Sequence, residues 1–279
     1  MKDTPAGTNK AEPPQLVTFD VILPAVMAAR AEESGVKRAS TDPLSLLVLS
    51  VLAGAFISFG AIFATTVSAG SVIATAPDGS AISSAILPYG VVRLLSGIVF
   101  SVGLLLVVIG GAELFTGNNM IVMAWASGKV KTRELLSNWV IAFVGNCAGA
   151  VATAALMFYT TQYSFGGGSV GLVALATASA KTSLAPLPAI TLGIMCNALV
   201  CLAVWMSYSA RTNVDRVFTI VPPIAAFVAA GFEHCIANAY FIPLGLFIKA
   251  GAPDTFWAAI GKTAADFPDL TWRNFILAN

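Results

Sequence analysis

Residues 111–118 and 231–238 carry the sequences GAELFTGN and GFEHCIAN, which match without a gap. Three positions are identical in the two copies: Gly111 and Gly231, Glu113 and Glu233, Asn118 and Asn238. Each octapeptide places glycine and polar residues inside an apolar run, which is the pattern of a membrane helix that is broken partway. The two copies therefore predict a pair of broken helices.

Two apolar stretches precede the octapeptides in the same order. They begin at Pro43 and Pro186 and have the sequences PLSLLVLSVLAGAFISFGAIF and PLPAITLGIMCNALVCLAVWM. A repeated helix followed by a repeated broken helix predicts two copies of a three-helix unit. Because three crossings reverse the direction of the chain, the copies have opposite orientations in the membrane. The predicted fold class is an all-α integral membrane protein built as an inverted repeat.

The composition excludes a soluble domain. The 279 residues are 57% hydrophobic and 10% charged, whereas soluble domains are about 25% charged, and the mean hydropathy is +0.83. The net charge is +1 and no basic tract is present, so no nucleic-acid partner is expected. The four cysteines lie in apolar runs without metal-ligand or redox spacing. We therefore predict a lipid-embedded protein without a metal or cofactor.

Apolar runs of about 20 residues locate the membrane helices. Helices 1, 3 and 4 are predicted at about 44–70, 135–160 and 186–208. Helix 2 is predicted from about Val91 to Ile109, with a break at 110–119 and a continuation from residue 120. Helix 5 is predicted from about Arg216 to Ala230, with a break around GFEHCIAN and a continuation to about Ile248.

A single channel domain is predicted over residues 18–279, after a disordered polar N-terminus at 1–17. Its two repeats are expected at about 43–160 and 186–279, and the segment 18–34 is expected to form an interfacial amphipathic helix. A helix that matched helix 3 would extend past residue 279, so most of helix 6 is expected to be missing from this sequence.

The distribution of lysine and arginine predicts the orientation. Both residue types are frequent in the N-terminal segment and in the loop at 128–134, and the loop at 209–216 has two arginines. The loop at 71–90 has none, and the loop predicted at 161–181 has only Lys181. Because basic loops stay on the cytoplasmic side, the N-terminus is predicted to be cytoplasmic.

The only histidine of the chain, His234, lies within the second break. An ionisable side chain inside a membrane segment is a functional candidate, and imidazole can both donate a hydrogen bond to an anion and exchange a proton. Two discontinuous helices also point to a permeation site. The alternative is that their small residues only permit close helix packing, which is the role expected for GNCAG at 145–149. Glu113 and Glu233 are expected to point away from the pore and to accept hydrogen bonds from neighbouring backbone groups.

The segments GGAELFTGN, CNALVCLAVWMSYSAR and AGFEHCIANAYFIPLG closely resemble the signatures of the formate/nitrite transporter family. The resemblance extends from about residue 18 to the end, and the opening FDVILPAVMAARAEESGVKRASTDPL is most similar to the formate-channel branch. It implies an aquaporin-like fold and a homopentamer with one pore per protomer.

The resemblance also implies the site residues. Phe100 and Phe227 would form an apolar constriction with Leu104 on one side of His234. Leu114, Phe115 and Thr116 would lie in the loop that breaks helix 2, with Thr116 bonding the substrate opposite the histidine. Lys181 would draw anions into the periplasmic vestibule, and Asn197 would add a polar contact. The family has a further pore asparagine in helix 6, in a segment that this sequence does not include.

The predicted function is pH-dependent passage of formate, with a proton exchanged through His234, across a bacterial cytoplasmic membrane. No covalent chemistry is needed, so the chain is not expected to be an enzyme. Nitrite, hydrosulfide, acetate and lactate remain alternative substrates. A structural membrane protein, an oxidoreductase subunit and a neutral-solute pore are alternatives from other classes. A single histidine excludes haem held by paired histidines.

Overall fold

A computed structural model describes residues 22–70 and 87–279, and the regular structure in these ranges is entirely helical. The α-helices are α1 (Pro24–Ala39), α2 (Pro43–Ala69), α3 (Tyr89–Gly110), α4 (Phe115–Asn118), α5 (Ile121–Ala126), α6 (Thr132–Tyr159), α7 (Ser169–Thr182), α8 (Pro186–Ser207), α9 (Asn213–Ala230), α10 (Cys235–Gly251), α11 (Asp254–Ile260) and α12 (Trp272–Ala278). The predicted all-α fold is confirmed. The expectations for residues 1–21 and for most of the first loop lie outside the described residues.

Five of these helices are long and apolar enough to cross a membrane: α2, α3, α6, α8 and α9. They correspond to predicted helices 1 to 4 and to the first half of helix 5. Helices α2 and α8 begin at Pro43 and Pro186, because proline is favoured in the first turn. Helix α9 begins earlier than predicted, since Thr212 and Asp215 accept hydrogen bonds from each other's backbone amides and cap it.

The two breaks have the same local geometry. Helix α3 is followed by Gly111 with φ 73°, and α9 is followed by Gly231 with φ 79°. Both glycines are in the left-handed region, which side chains with a Cβ disfavour. The chain becomes helical again at Phe115 in one repeat and at Cys235 in the other, which makes each break shorter than predicted. The prediction that Phe115 and Thr116 lie in a loop was therefore wrong, because they form the start of α4.

A second difference concerns the segment before α8, predicted as a loop over 161–181. Helix α7 occupies most of it and packs along α10. The contact is close because Ala178 lies against Gly245, where an added Cβ would approach the Ala178 Cβ to 2.5 Å. Lys181 is consequently held on the last turn of a helix rather than on a loop.

Small residues bring α2 and α6 together as the sequence predicted for GNCAG. A Cβ on Gly149 would lie 2.0 Å from the Val51 carbonyl oxygen. The two helices therefore approach to backbone contact, which is typical of small-residue packing in membranes. The N-terminal helix α1 runs from Pro24 to Ala39, later than the predicted 18–34, and packs against α5.

Candidate permeation site

His234 and Thr116 face each other at the two breaks. His234 is the N-cap of α10, and its Nδ1 accepts a hydrogen bond from the Ala237 amide at 3.2 Å. A neutral ring with Nδ1 as acceptor carries its proton on Nε2, and this atom lies 3.3 Å from the Thr116 hydroxyl. The two side chains are 4% and 5% exposed, so the pair forms a buried polar contact between the repeats.

Aromatic rings cover one side of this pair. The Phe100 and Phe227 rings meet edge to face with their centroids 5.7 Å apart, and the Phe227 ring stacks on the His234 imidazole at 5.9 Å. Both phenylalanines are 3% exposed. Their contact closes the space beside the histidine with an apolar surface.

The two leucines predicted for the site are buried in the apolar core and do not line the cavities at His234. Leu104 and Leu114 are 2% and 1% exposed and belong to the same apolar cluster as the phenylalanines. Leu114 is the N-cap residue of α4, at the position that His234 occupies before α10. Neither leucine lines the two cavities at His234.

His234 lines both of these cavities. The first, of about 90 Å³, also contacts Phe100, Phe227 and Lys181. The second, of about 510 Å³, is lined by Phe115, Thr116 and Asn197 among others. The imidazole therefore stands between two spaces, one beside the aromatic rings and the other beside the amide of Asn197.

Asn197 brings unused hydrogen-bonding capacity to the second cavity. Its Nδ2 contacts Cys201 Sγ at 3.8 Å, while its buried Oδ1 has no hydrogen-bond partner in the part of the chain that the structure describes. Asn197 thus lines the same cavity as Thr116 and His234, and its polar contact with a substrate stays a prediction.

The charged residues of the second break pair with each other. Lys181 donates to both carboxylate oxygens of Glu233, at 2.8 and 3.0 Å, and the Asn238 amide donates to the same carboxylate at 2.9 Å. The expectation that Glu233 accepts from backbone groups was wrong, since its partners are side chains. Because the ion pair neutralises the Lys181 charge, this lysine contributes less field to the cavity than an isolated lysine would.

The first break has a corresponding pair that the sequence reasoning missed. Glu113 lies 3.5 Å from the Arg38 guanidinium, so its predicted bonding to backbone groups was also wrong. Arg38 donates to the Asn118 side chain, and Asn138 donates to the Arg38 carbonyl and accepts from Asn118. Arg38 lies in the last turn of α1, within a basic segment predicted at the cytoplasmic surface, and nothing in its local pattern indicated this contact.

Asn146 is a second residue that the sequence reasoning missed. Its Nδ2 donates to the Ser50 and Glu113 carbonyls at 2.7 and 2.9 Å, and its Oδ1 accepts from the Phe115 amide at 2.8 Å. The side chain therefore replaces helical bonds that the break removes, as backbone in the apolar interior requires. The only signal was a polar residue within GNCAG, which was assigned to packing alone.

No group of three or more histidine, cysteine, aspartate or glutamate residues in the described ranges is arranged to hold a metal. The four cysteines are free thiols.

Comparison with known proteins agrees with this geometry. The family model described as formate/nitrite transporter matches residues 25–279. The formate channel FocA of Escherichia coli K12 is 43% identical over 261 residues, covering 94% of this chain and 87% of that protein. The FocA of Haemophilus influenzae is 35% identical over 265 residues, covering 95% and 89% of the two chains.

Solved structures give the same result. A structure described as a pentameric formate channel with formate bound is 42% identical and has a TM-score of 0.76, with 85% of this chain and 88% of that chain covered. An FNT family ion channel is 27% identical with a TM-score of 0.67, covering 91% and 94%. Sequence and fold both match over most of their length, and this multi-pass membrane protein belongs to the formate/nitrite transporter family.

Proposed function

We propose that this chain is the protomer of a homopentameric formate channel in a bacterial cytoplasmic membrane, with its N-terminus in the cytoplasm. The observation that carries the proposal is the buried Thr116–His234 pair, which lies between two cavities and beside the Phe100–Phe227 contact. The similarity to FocA and to a pentameric channel with formate bound supports both substrate and assembly. The charge asymmetry of the loops supports the orientation.

At the Thr116–His234 pair, hydrogen-bond donors of the protein replace the water molecules that formate loses. The His234 Nε2–H and the Thr116 hydroxyl lie 3.3 Å apart, and both can donate to a carboxylate placed beside the pair. The N-terminus of α10 begins at His234, and its positive dipole end favours an anion. These groups offset part of the cost of desolvating a charge.

The aromatic contact opposes passage of the anion and favours a neutral species. Uptake of a proton at Nδ1 requires release of the hydrogen bond from the Ala237 amide. The imidazolium can then pass its Nε2 proton to formate, which leaves a neutral ring protonated on Nδ1 and neutral formic acid. Formic acid has no net charge to desolvate, so it crosses the apolar contact at lower cost. No covalent bond to the protein forms, and the chain acts as a channel rather than as an enzyme.

Other small monovalent anions are the alternative substrates. The family description includes nitrite, and the site holds donors that would also serve hydrosulfide, acetate or lactate. Size and proton affinity differ among these anions, so the Phe100–Phe227 contact and the His234 proton should rank them differently. Measuring the flux of each anion through the purified channel in proteoliposomes decides among them.

The test is flux through purified channels in proteoliposomes across a pH series. Wild-type protein is expected to pass formate, with more flux at acidic pH, where more neutral acid can form. His234→Phe should remove the pH dependence, and Thr116→Val should lower the flux without removing it. Unchanged flux and pH dependence in His234→Phe would refute the proton exchange, and no formate flux in the wild type would refute the function.

A further inference from the structure

Arg93 reaches the cavity that lies on the aromatic side of His234. It belongs to α3, where Arg93, Ser96 and Phe100 follow the i, i+3, i+7 spacing of a single helix face. All three line this cavity, together with Lys181 on α7. The cavity thus contains two cationic side chains, and Phe100 forms its apolar end.

The two cations differ in how far their charge is already compensated. Lys181 is bonded to both oxygens of the Glu233 carboxylate. The only partner recorded for Arg93 in the described parts of the chain is neutral, the Val228 carbonyl oxygen. Its buried Nε has no hydrogen-bond partner among residues 22–70 and 87–279. Among the described residues that line this cavity, Arg93 is therefore the cation whose charge no carboxylate balances.

The bond to Val228 holds the guanidinium at the end of α9. A Cβ on Gly231 would lie 3.4 Å from Arg93 Nη2, so the guanidinium contacts the break itself. A cation beside the last carbonyls of a helix is stabilised by the helix dipole. Capping uses one of the five N–H donors of arginine, and the planar group keeps further donors for another acceptor.

We propose that Arg93 forms a binding subsite for small carboxylates and similar monovalent oxyanions, at which the anion is held before it reaches the Phe100–Phe227 contact. The guanidinium plane matches a carboxylate in two parallel hydrogen bonds. The Thr177 and Ser96 side chains line the same cavity and supply a polar wall. This inference rests on the proposed function, because it assigns the approach step of the same pathway.

The proposal separates the roles of the two cavity cations. The Lys181–Glu233 pair is a neutral framework for the second break, whereas Arg93 raises the local concentration of the anion. A fixed charge in a cavity with apolar walls raises the local concentration of an oppositely charged substrate and the rate at which it binds. Loss of Arg93 should therefore raise the formate concentration that gives half-maximal flux and leave the maximal flux largely unchanged.

The experiment compares formate flux against formate concentration, at constant ionic strength, in proteoliposomes with wild type, Arg93→Gln and Arg93→Lys. Arg93→Gln is expected to raise the half-saturating concentration by at least about fivefold, and Arg93→Lys should recover part of this loss. Exposed Arg133 supplies the matched control, Arg133→Gln, which should not change the half-saturating concentration.

Three outcomes are distinguishable. A wild-type protein that passes no formate refutes the proposed function. If the wild type passes formate but Arg93→Gln keeps the wild-type half-saturating concentration, the subsite is refuted. A lower maximal flux with unchanged half-saturation in both Arg93 variants shows that Arg93 only caps α9, which also overturns the proposal. If Arg93→Gln does not assemble, Arg93→Lys still tests the two parallel hydrogen bonds: a half-saturating concentration above the wild-type value supports the subsite, and an unchanged value overturns it.

Discussion

Replacing Asn146 by alanine removes the side chain that bonds two backbone groups at the first break and one on α2. Asn146 is fully buried, and its partners are the Ser50 and Glu113 carbonyls and the Phe115 amide. Hydrogen bonds between membrane helices contribute about 0.6–1.7 kcal/mol each. Three of them predict that Asn146→Ala lowers the free energy of unfolding by about 2–5 kcal/mol. The measurement is reversible unfolding of the purified protein in detergent, followed by tryptophan fluorescence.

Two further variants separate hydrogen bonding from cavity formation. Asn146→Leu fills the space without restoring a bond, so it should be as unstable as Asn146→Ala. Thr153 on the same helix bonds only the Gly149 carbonyl of its own helix, and Thr153→Val should cost less than about 1 kcal/mol. The reasoning is refuted if Asn146→Ala costs no more than Thr153→Val, or if leucine restores the stability.

Three other perturbations test the charges and the breaks. Lys181→Met leaves the Glu233 carboxylate without its cation. Lys181→Met alone should therefore unfold at a lower temperature than Lys181→Met combined with Glu233→Gln. Equal melting temperatures would contradict a coupled pair. Gly111→Ala places a Cβ at φ 73° in open space. Backbone strain alone should lower the free energy of unfolding by about 1–2 kcal/mol. An unchanged free energy of unfolding in denaturant would contradict that cause. Hydrogen bonds from Lys129 and from a neighbouring serine hydroxyl lower the pKa of Glu32. Their contribution is present above the ordinary carboxyl pKa and is lost as the pH falls through the lowered value. The rate of amide exchange in α1, divided by the intrinsic rate at the same pH, should therefore rise at acidic pH in the wild type. The same ratio should already be raised in Glu32→Gln at neutral pH.

The sequence predicted the helices and the breaks well, because these features depend on local properties. Apolar length and helix-starting prolines at Pro43 and Pro186 placed the spans within a few residues of their observed bounds. The matched glycines Gly111 and Gly231 marked the two left-handed positions. The longest misassigned segment is α7, which was predicted as a loop. Its 14 residues are too few to cross the membrane, so the length criterion that found the other helices does not apply to it.

The partners within the site could not be predicted from local pattern. Glu233 was expected to bond nearby backbone, but its cation is Lys181, on a helix packed beside α10. Glu113 meets Arg38, which belongs to a basic segment that resembles an ordinary membrane-surface cluster. Asn146 was assigned to packing because its hydrogen bonds to Ser50 and Glu113 cross between helices. Each of these pairings depends on the relative position of two helices, which cannot be predicted from the spacing of residues along the chain.

The sequence by itself determined that the chain is a helical membrane protein with two equivalent breaks and one histidine, since hydrophobicity, glycine and charge act within a few residues of the chain. Only the tertiary structure decided that Thr116 faces His234 across 118 positions, and that Arg93 reaches Val228 across 135. The reason is that an apolar environment strongly favours the pairing of buried charges and open backbone groups. Which partner is found depends on the helices that packing brings together.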